Sequence, residues 1–474
     1  LHCLGRLYLL PLKMTLNINE NIRMNRNLFP LALILIFLIG PFSILKVSAW
    51  SEHPLLVRPA LKNHPVWQKA DSVQARSLKT FLLETEKELE KFLADHEAWS
   101  VANLPNYAPC PAGLAFKATG NPDDILLRFY TAIRINPHVK IPLYLHLLPN
   151  DSTEGRPVAD PKEICTLEDL SFMLNTVYTR VEEGEILAPF DVLVTANDEP
   201  DYGFDLGLFV DNMTPYGQEY GFGAQSFGNP QLEYGSQAPF HMGFYHEAKI
   251  LYKFGPFLKQ TYMDYRLFLY KALSEFAFRQ QQPYWGWRFM GWGMHYMGDV
   301  SMPYHMRPLP GVSTARMMWI NLKAMLGFPK AKEQAVQLVS NRHTAFEEFQ
   351  LQVIRKAHQD KNFSHPFLQA LENPLPTVSF SMDFFLNVAT KESAASGEEI
   401  DKILERQMPA LLVSDPNVET NDLPETDRIV AYMTETNGPE SVEKVTEAIA
   451  GRMRQFSMNI RSFLDDIVAH TVLP

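Results

Sequence analysis

Apolar residues recur every three to four positions over long stretches of this chain, and that spacing restricts the fold more than any other feature. Residues 71 to 95, DSVQARSLKTFLLETEKELEKFLAD, keep their large apolar side chains at helical spacing with charges between them. Residues 168 to 183 and 258 to 280 follow the same rule. From Ser441 to His470 a long amphipathic run follows Gly-Pro-Glu, a suitable helix start. No series of short alternating strands is visible, so an all-α, multi-helix fold is expected. The chain has 474 residues, 46% hydrophobic and 20% charged, which is enough to bury a large core.

Some stretches break the helical rule. Residues 103 to 125 and 136 to 162 are rich in Pro, Asn and Gly and are expected to run as long surface loops. Residues 198 to 240 combine Gly with aromatic residues without periodicity, and a loop of that length in a compact domain is usually functional. Residues 391 to 400 and 413 to 427 read as polar connectors inside a helical tail. The expected organisation is one domain over 50–390 and a helical C-terminal extension, 391–474, packed on it.

The first 49 residues resemble a leader. Met24 opens MNRNLFPLALILIFLIGPFSILKVSAW, with Arg26 as a short basic region, an apolar run over 28–45, and Val47-Ser48-Ala49 as a small-residue cleavage site. The expectation is a true start at Met24, a signal peptide, and export to the periplasm or the medium, with Trp50 as the new N-terminus. An uncleaved anchor is the alternative, because the run borders on the length that spans a bilayer. The net charge is −11, and the leader segment holds five basic residues and one acidic, so the chain from Trp50 is more acidic still. A field of that sign does not hold long nucleic acid. Cys110 and Cys165 follow the leader; in an oxidising compartment they could pair, or remain two free thiols.

The residues that carry chemistry lie in GMHYMGDVSMPYH, 293–305. His295 and Asp299 stand four apart, so a helix places them on one face where both can reach one metal ion. Pro303 ends that helix and lets His305 turn back toward it. His343 and Glu347, in RHTAFEEF, repeat the spacing. Two such pairs with an extra His make a nitrogen and oxygen donor set suited to zinc. The surrounding YWGWRFMGWGM reads as buried support.

HYMGDVSMPYH closely resembles the motif of the zinc-dependent phospholipase C family, whose members include the catalytic domain type of alpha-toxin. The superfamily also contains the single-strand nucleases of the nuclease P1 type. The resemblance covers roughly 50–390 at five places, and the membrane-binding sheet domain of alpha-toxin has no counterpart. It implies about three zinc ions. Asp201, His241, His295 and Asp299 would hold one, Trp50 (through its free amine and carbonyl), His53 and Asp299 a second, and His305, His343 and Glu347 a third. His64 competes with His53, and His246 with His241.

The resemblance further implies a metal-activated water attacking phosphorus, Asp201 assisting with the proton, and Tyr202 facing a quaternary ammonium head group. Phospholipid is the expected substrate, with peripheral membrane contact and no obligate protein partner. Single-stranded nucleic acid is the substrate in the nuclease reading, and a catalytically weak exported binding protein is a third possibility. The segment ARMMWINLKAMLGF, 315–328, reads as a core helix or as an amphipathic lid touching lipid.

Overall fold

The structure is a computed structural model that describes residues 50–471. The start at Met24, the leader and its cleavage site lie outside the described residues.

The elements that build the site are, in chain order, α1 (His53–Leu61), β1 (Val73–Gln74), α2 (Leu78–Asn103), β2 (Tyr144–Leu147), β3 (Val177–Arg180), β4 (Ile186–Leu187), α3 (Pro189–Ala196), α4 (Glu233–His241), α5 (Lys249–Phe254), α6 (Met263–Arg279), α7 (Pro283–Asp299), α8 (Pro303–Met306), α9 (Thr314–Met325), α10 (Lys330–Gln359), α11 (Pro366–Glu372), α12 (Thr390–Gln407), α13 (Ile429–Asn437) and α14 (Pro439–Ala469). The fold is all-α. Its strands form two antiparallel pairs, β1 with β4 and β2 with β3.

At the centre stands α7. Every residue from Tyr284 to Asp299 is buried. It packs against α6, α3 and α14. Its sequence is a poor helix former, with Gly at 286, 291, 293 and 298, each costing about 1 kcal/mol against Ala. Two of these glycines are required by their neighbours. A Cβ at Gly291 would lie 2.7 Å from the Cβ of Ala196, and one at Gly298 would lie 2.6 Å from the Phe456 ring. The close approaches let Trp285, Trp287, Trp292 and Tyr296 fill the interior completely, and burial of such large rings outweighs the lost helix propensity.

Helix α2 begins at Ser77, whose side chain accepts from the Thr80 amide, and not at residue 71, because Val73 and Gln74 pair with β4. Three expectations fail. Residues 136–162 are not a surface loop throughout, since they contain the largely buried strand β2, paired with β3. Residues 168–183 are not a helix: 171–173 form a single 3₁₀ turn, and Val177–Arg180 lies in register with β2, Leu145 opposite Thr179 and His146 opposite Tyr178. The alternation of the β-branched Val177, Thr179 and Val181 decides that segment. Residues 391–400 are not a connector but the first half of α12, where Ala394, Gly397 and Ile400 face inward.

The chain beyond 390 shares one core with the rest. Ile400, Leu404, Met453, Phe456 and Phe463 belong to the same apolar cluster as Leu55, Trp287 and Phe346. Helix α14 packs on α1, α7, α11 and α12. Cys110 and Cys165 are both free thiols.

Candidate metal centre

Asp299, the last residue of α7, is fully buried and reaches three imidazoles. Its Oδ1 lies 3.3 Å from His53 Nε2. Its Oδ2 lies 3.1 Å from His241 Nδ1 and 3.5 Å from His295 Nε2. Asp201 closes the cluster, with Oδ1 3.5 Å from His295 Nε2 and 3.7 Å from His241 Nδ1. Nearby, His343 Nε2 lies 2.9 Å from Glu347 Oε1, and His305 Nε2 lies 3.9 Å from the same oxygen.

The local sequence explains this convergence. His295 and Asp299 share a face of α7, and His343 and Glu347 share a face of α10, because residues four apart on a helix sit one above the other. The chain leaves α7 at Val300, and Pro303, in the first turn of α8, starts a short helix that carries His305 inward. His241 ends α4, and the Gly243 amide donates to the His305 carbonyl at 2.8 Å, which ties the two segments together.

Three groups of donors result: His53, His295 and Asp299; Asp201, His241 and His295; His305, His343 and Glu347. In each group the donor atoms lie within 4.8 Å of one another. Several of these atoms have no hydrogen-bond partner: His53 Nε2, Asp299 Oδ1, both nitrogens of His305, His343 Nε2 and Glu347 Oε1. Buried polar atoms are rarely left so, since an unpaired one costs about 1–3 kcal/mol. Such a concentration of unpaired donors in one place fits groups that could hold metal ions.

A surrounding layer fixes how each ring is turned. His53 Nδ1 meets Asn197 Oδ1 at 3.2 Å, and His295 Nδ1 meets the Asn197 carbonyl at 2.8 Å, leaving both Nε2 atoms for Asp299. His241 Nε2 faces Asp205 Oδ2 at 3.5 Å. Asp205 is itself held by the Arg266 guanidinium and by the Tyr296 hydroxyl, which donates at 2.6 Å. The His53 amide donates to Asp198 Oδ1 at 2.9 Å. The loop after α3 is stitched to α7 at successive turns: Arg288 grips Glu199 with two nitrogens, Asn197 donates to the Gly291 carbonyl, and Tyr296 donates to Asp205.

The electrostatics follow from burial and crowding. Burial pushes Asp201 up to about 7, with His241 opposing and Asp299 and Asp205 adding to the rise. His241 is driven the other way from a normal buried imidazole: burial lowers it, but hydrogen bonds to Asp205 and Asp299 and the charge of Asp201 carry it to about 10. Asp299 lies well below the usual carboxylate range, because the surrounding histidines outweigh its burial. Burial lowers His305 to about 4, holds His343 well below its ordinary value, and raises Glu347 well above its own.

Trp50 is buried, its ring edge-on to Phe346 and Phe456 and its indole nitrogen donating to Ser301 Oγ at 2.9 Å. It is anchored beside the cluster, three residues before His53. His64 and His246 lie elsewhere: His64 Nε2 faces Asp465, and His246 Nε2 faces Thr390. Tyr202 is buried in a separate small core, with its hydroxyl donating to Asp198 Oδ2 at 3.0 Å and contacting the Tyr178 hydroxyl. Asn197, Asp198 and Asp205 were not foreseen. Their one signal is a run of four carboxylates within 198–205 of an otherwise aromatic and Gly-rich stretch.

Comparison with protein-family models, curated proteins and solved structures finds no match to the chain. Among the described residues no helix is long and apolar enough to cross a membrane.

Proposed function

We propose that this chain is an exported zinc-dependent phosphodiesterase acting on phospholipid, a phospholipase C by reaction type. The observation that carries the reading is the convergence of His53, Asp201, His241, His295 and Asp299 beside His305, His343 and Glu347, with their unpaired donor atoms turned toward one another. Imidazole and carboxylate donors without thiolate suit zinc. Divalent ions bound there would neutralise charge on a phosphodiester and make a bound water acidic.

The chain's own residues divide the remaining work. Asp299 belongs to the first group and its other oxygen reaches His241 of the second, His295 is common to both, and Asn197 and Asp205 hold the rings of His53, His295 and His241 in position. Asp201 is the most solvent-accessible of these carboxylates, at 9% exposure, and a carboxyl poised near neutrality can take or give a proton. Trp50, freed at its amine by leader cleavage, would add a donor next to His53. The acidic balance of the chain and Glu347 in the second helical pair favour phospholipid over nucleic acid.

The test combines metal analysis of the purified protein with two assays. The expected result is about three zinc per chain and diacylglycerol release from phosphatidylcholine. Nucleotide release from single-stranded DNA without diacylglycerol would assign a nuclease instead. A folded, metal-free protein active on neither would mark a binding protein.

A further inference from the structure

The excursion that joins His305 to His343 is built unlike the rest of the molecule. Helix α9 turns Met317 and Ile320 inward onto a small core with Leu309, Ala335 and Leu251. Its other face is also apolar and lies open: Trp319 is 57% exposed and Phe328 69%, with Leu322, Met325 and Leu326 exposed between them. Helix α5 joins the same small core through Leu251 and exposes Phe254, at 64%, and Ile250. Single exposed apolar residues are ordinary, but a cluster of large ones on two adjoining elements marks a contact surface.

The charge pattern identifies the occupant. The chain carries 54 Asp and Glu, yet none lies between Glu247 and Asp264, nor between Asp299 and Glu333. Those two intervals contain α5 and α9. Lys249, Lys253 and Lys259 are exposed on the first, and Arg316 and Lys330 on the second. Lys323 stands over the Trp319 ring at 5.2 Å. Large apolar side chains ringed by cations, in a chain otherwise acidic, complement an anionic lipid surface: the rings enter the interface while the cations meet the head groups.

We propose that α5 and α9 together form an interfacial docking surface for membranes containing anionic phospholipid. Along the chain, α5 follows His241 and α9 lies between His305 and His343, so both helices sit in segments that carry candidate donors. The docking surface rests on the phospholipase reading only for its purpose; binding itself is separable from hydrolysis.

The experiment uses the full chain carrying Glu347→Gln, so that lipid is not consumed, and measures co-sedimentation with phosphatidylcholine vesicles with and without phosphatidylglycerol. The expected result is at least tenfold stronger binding to the anionic vesicles, weakening as salt rises. Phe254→Ser with Trp319→Ser and Phe328→Ser should reduce binding at least tenfold with an unchanged melting curve. Lys253→Glu with Lys330→Glu should remove the preference for anionic lipid. In chain with Glu347 intact, the same surface substitutions should spare hydrolysis of a monomeric short-chain phospholipid. Vesicle binding that ignores all five substitutions would overturn the proposal, as would a dimer that the apolar substitutions dissociate without lipid. Vesicle binding by a chain that hydrolyses no lipid would leave the docking surface standing and remove the phospholipase reading alone.

Discussion

The imidazole rings of His53 and His295 stack with centroids 4.1 Å apart and planes 19° from parallel, and both turn Nε2 toward Asp299. Two cations cannot stack so closely in a dry interior, and burial above all holds His295 well below the usual imidazole range. Asp299 is the carboxylate that both rings reach. Asp299→Asn keeps the shape and removes the charge. Metal content should fall to about one ion per chain, retained by His305, His343 and Glu347, and activity should fall at least a hundredfold. Elemental analysis checks it; a full metal complement in the variant would refute the shared role.

Glu347 offers a cleaner substitution. Burial disfavours its carboxylate and Asp201, Glu348 and Asp299 repel it, so without metal the protonated form is favoured well above the ordinary carboxylate range. Glu347→Gln then exchanges one neutral group for another of equal size. The metal-free variant should match the metal-free parent in denaturant unfolding within about 0.5 kcal/mol, while the loaded protein loses one ion and its activity. A large loss of stability in the metal-free state would show that Glu347 is ionised there.

Metal uptake should release protons. His241 is held protonated to about pH 10 by Asp205 and Asp299, yet it must lose a proton before Nδ1 can bind an ion. Asp201, raised to about 7, adds a fractional proton near neutrality. Apparent affinity should therefore rise with pH up to about 10, by roughly tenfold per unit for each proton displaced. Zinc added to metal-free protein in weak buffer at pH 7 should acidify the solution by at least one proton per chain. No acidification would place His241 outside the ligand set.

Far from the centre, His96 gives a stability prediction. It stacks between Phe92 and Trp99 on α2, and burial lowers it to about 4. Its folded value lies below the unfolded value of about 6.5, so between these limits only the unfolded chain takes up the proton. Stability is whole above about pH 6.5 and is lost as pH falls toward 4. At pH 5 the loss relative to pH 8 should be about 2 kcal/mol. His96→Phe should abolish that share, measured as the difference in unfolding free energy at the two pH values.

The helical class was legible because long elements such as α14 and α10 repeat their apolar positions many times. So was the pairing of His295 with Asp299 and of His343 with Glu347, since helix geometry alone brings residues four apart together. The strand at Val177–Arg180 was not, because a four-residue element carries too few positions to outvote its helical surroundings. Asn197, Asp198 and Asp205 were hidden for another reason. Their partners are Gly291, His53, Arg266 and Tyr296, and nothing local says that a buried loop will be tied to a helix a hundred residues away.

Phe456, on the last helix, closes against Gly298 and stands edge-on to both Trp50 and His53. The ring that backs the cluster thus comes from α14, far along the chain from every candidate donor it supports. Without that helix the candidate donors would lack the Phe456 ring behind Trp50 and His53.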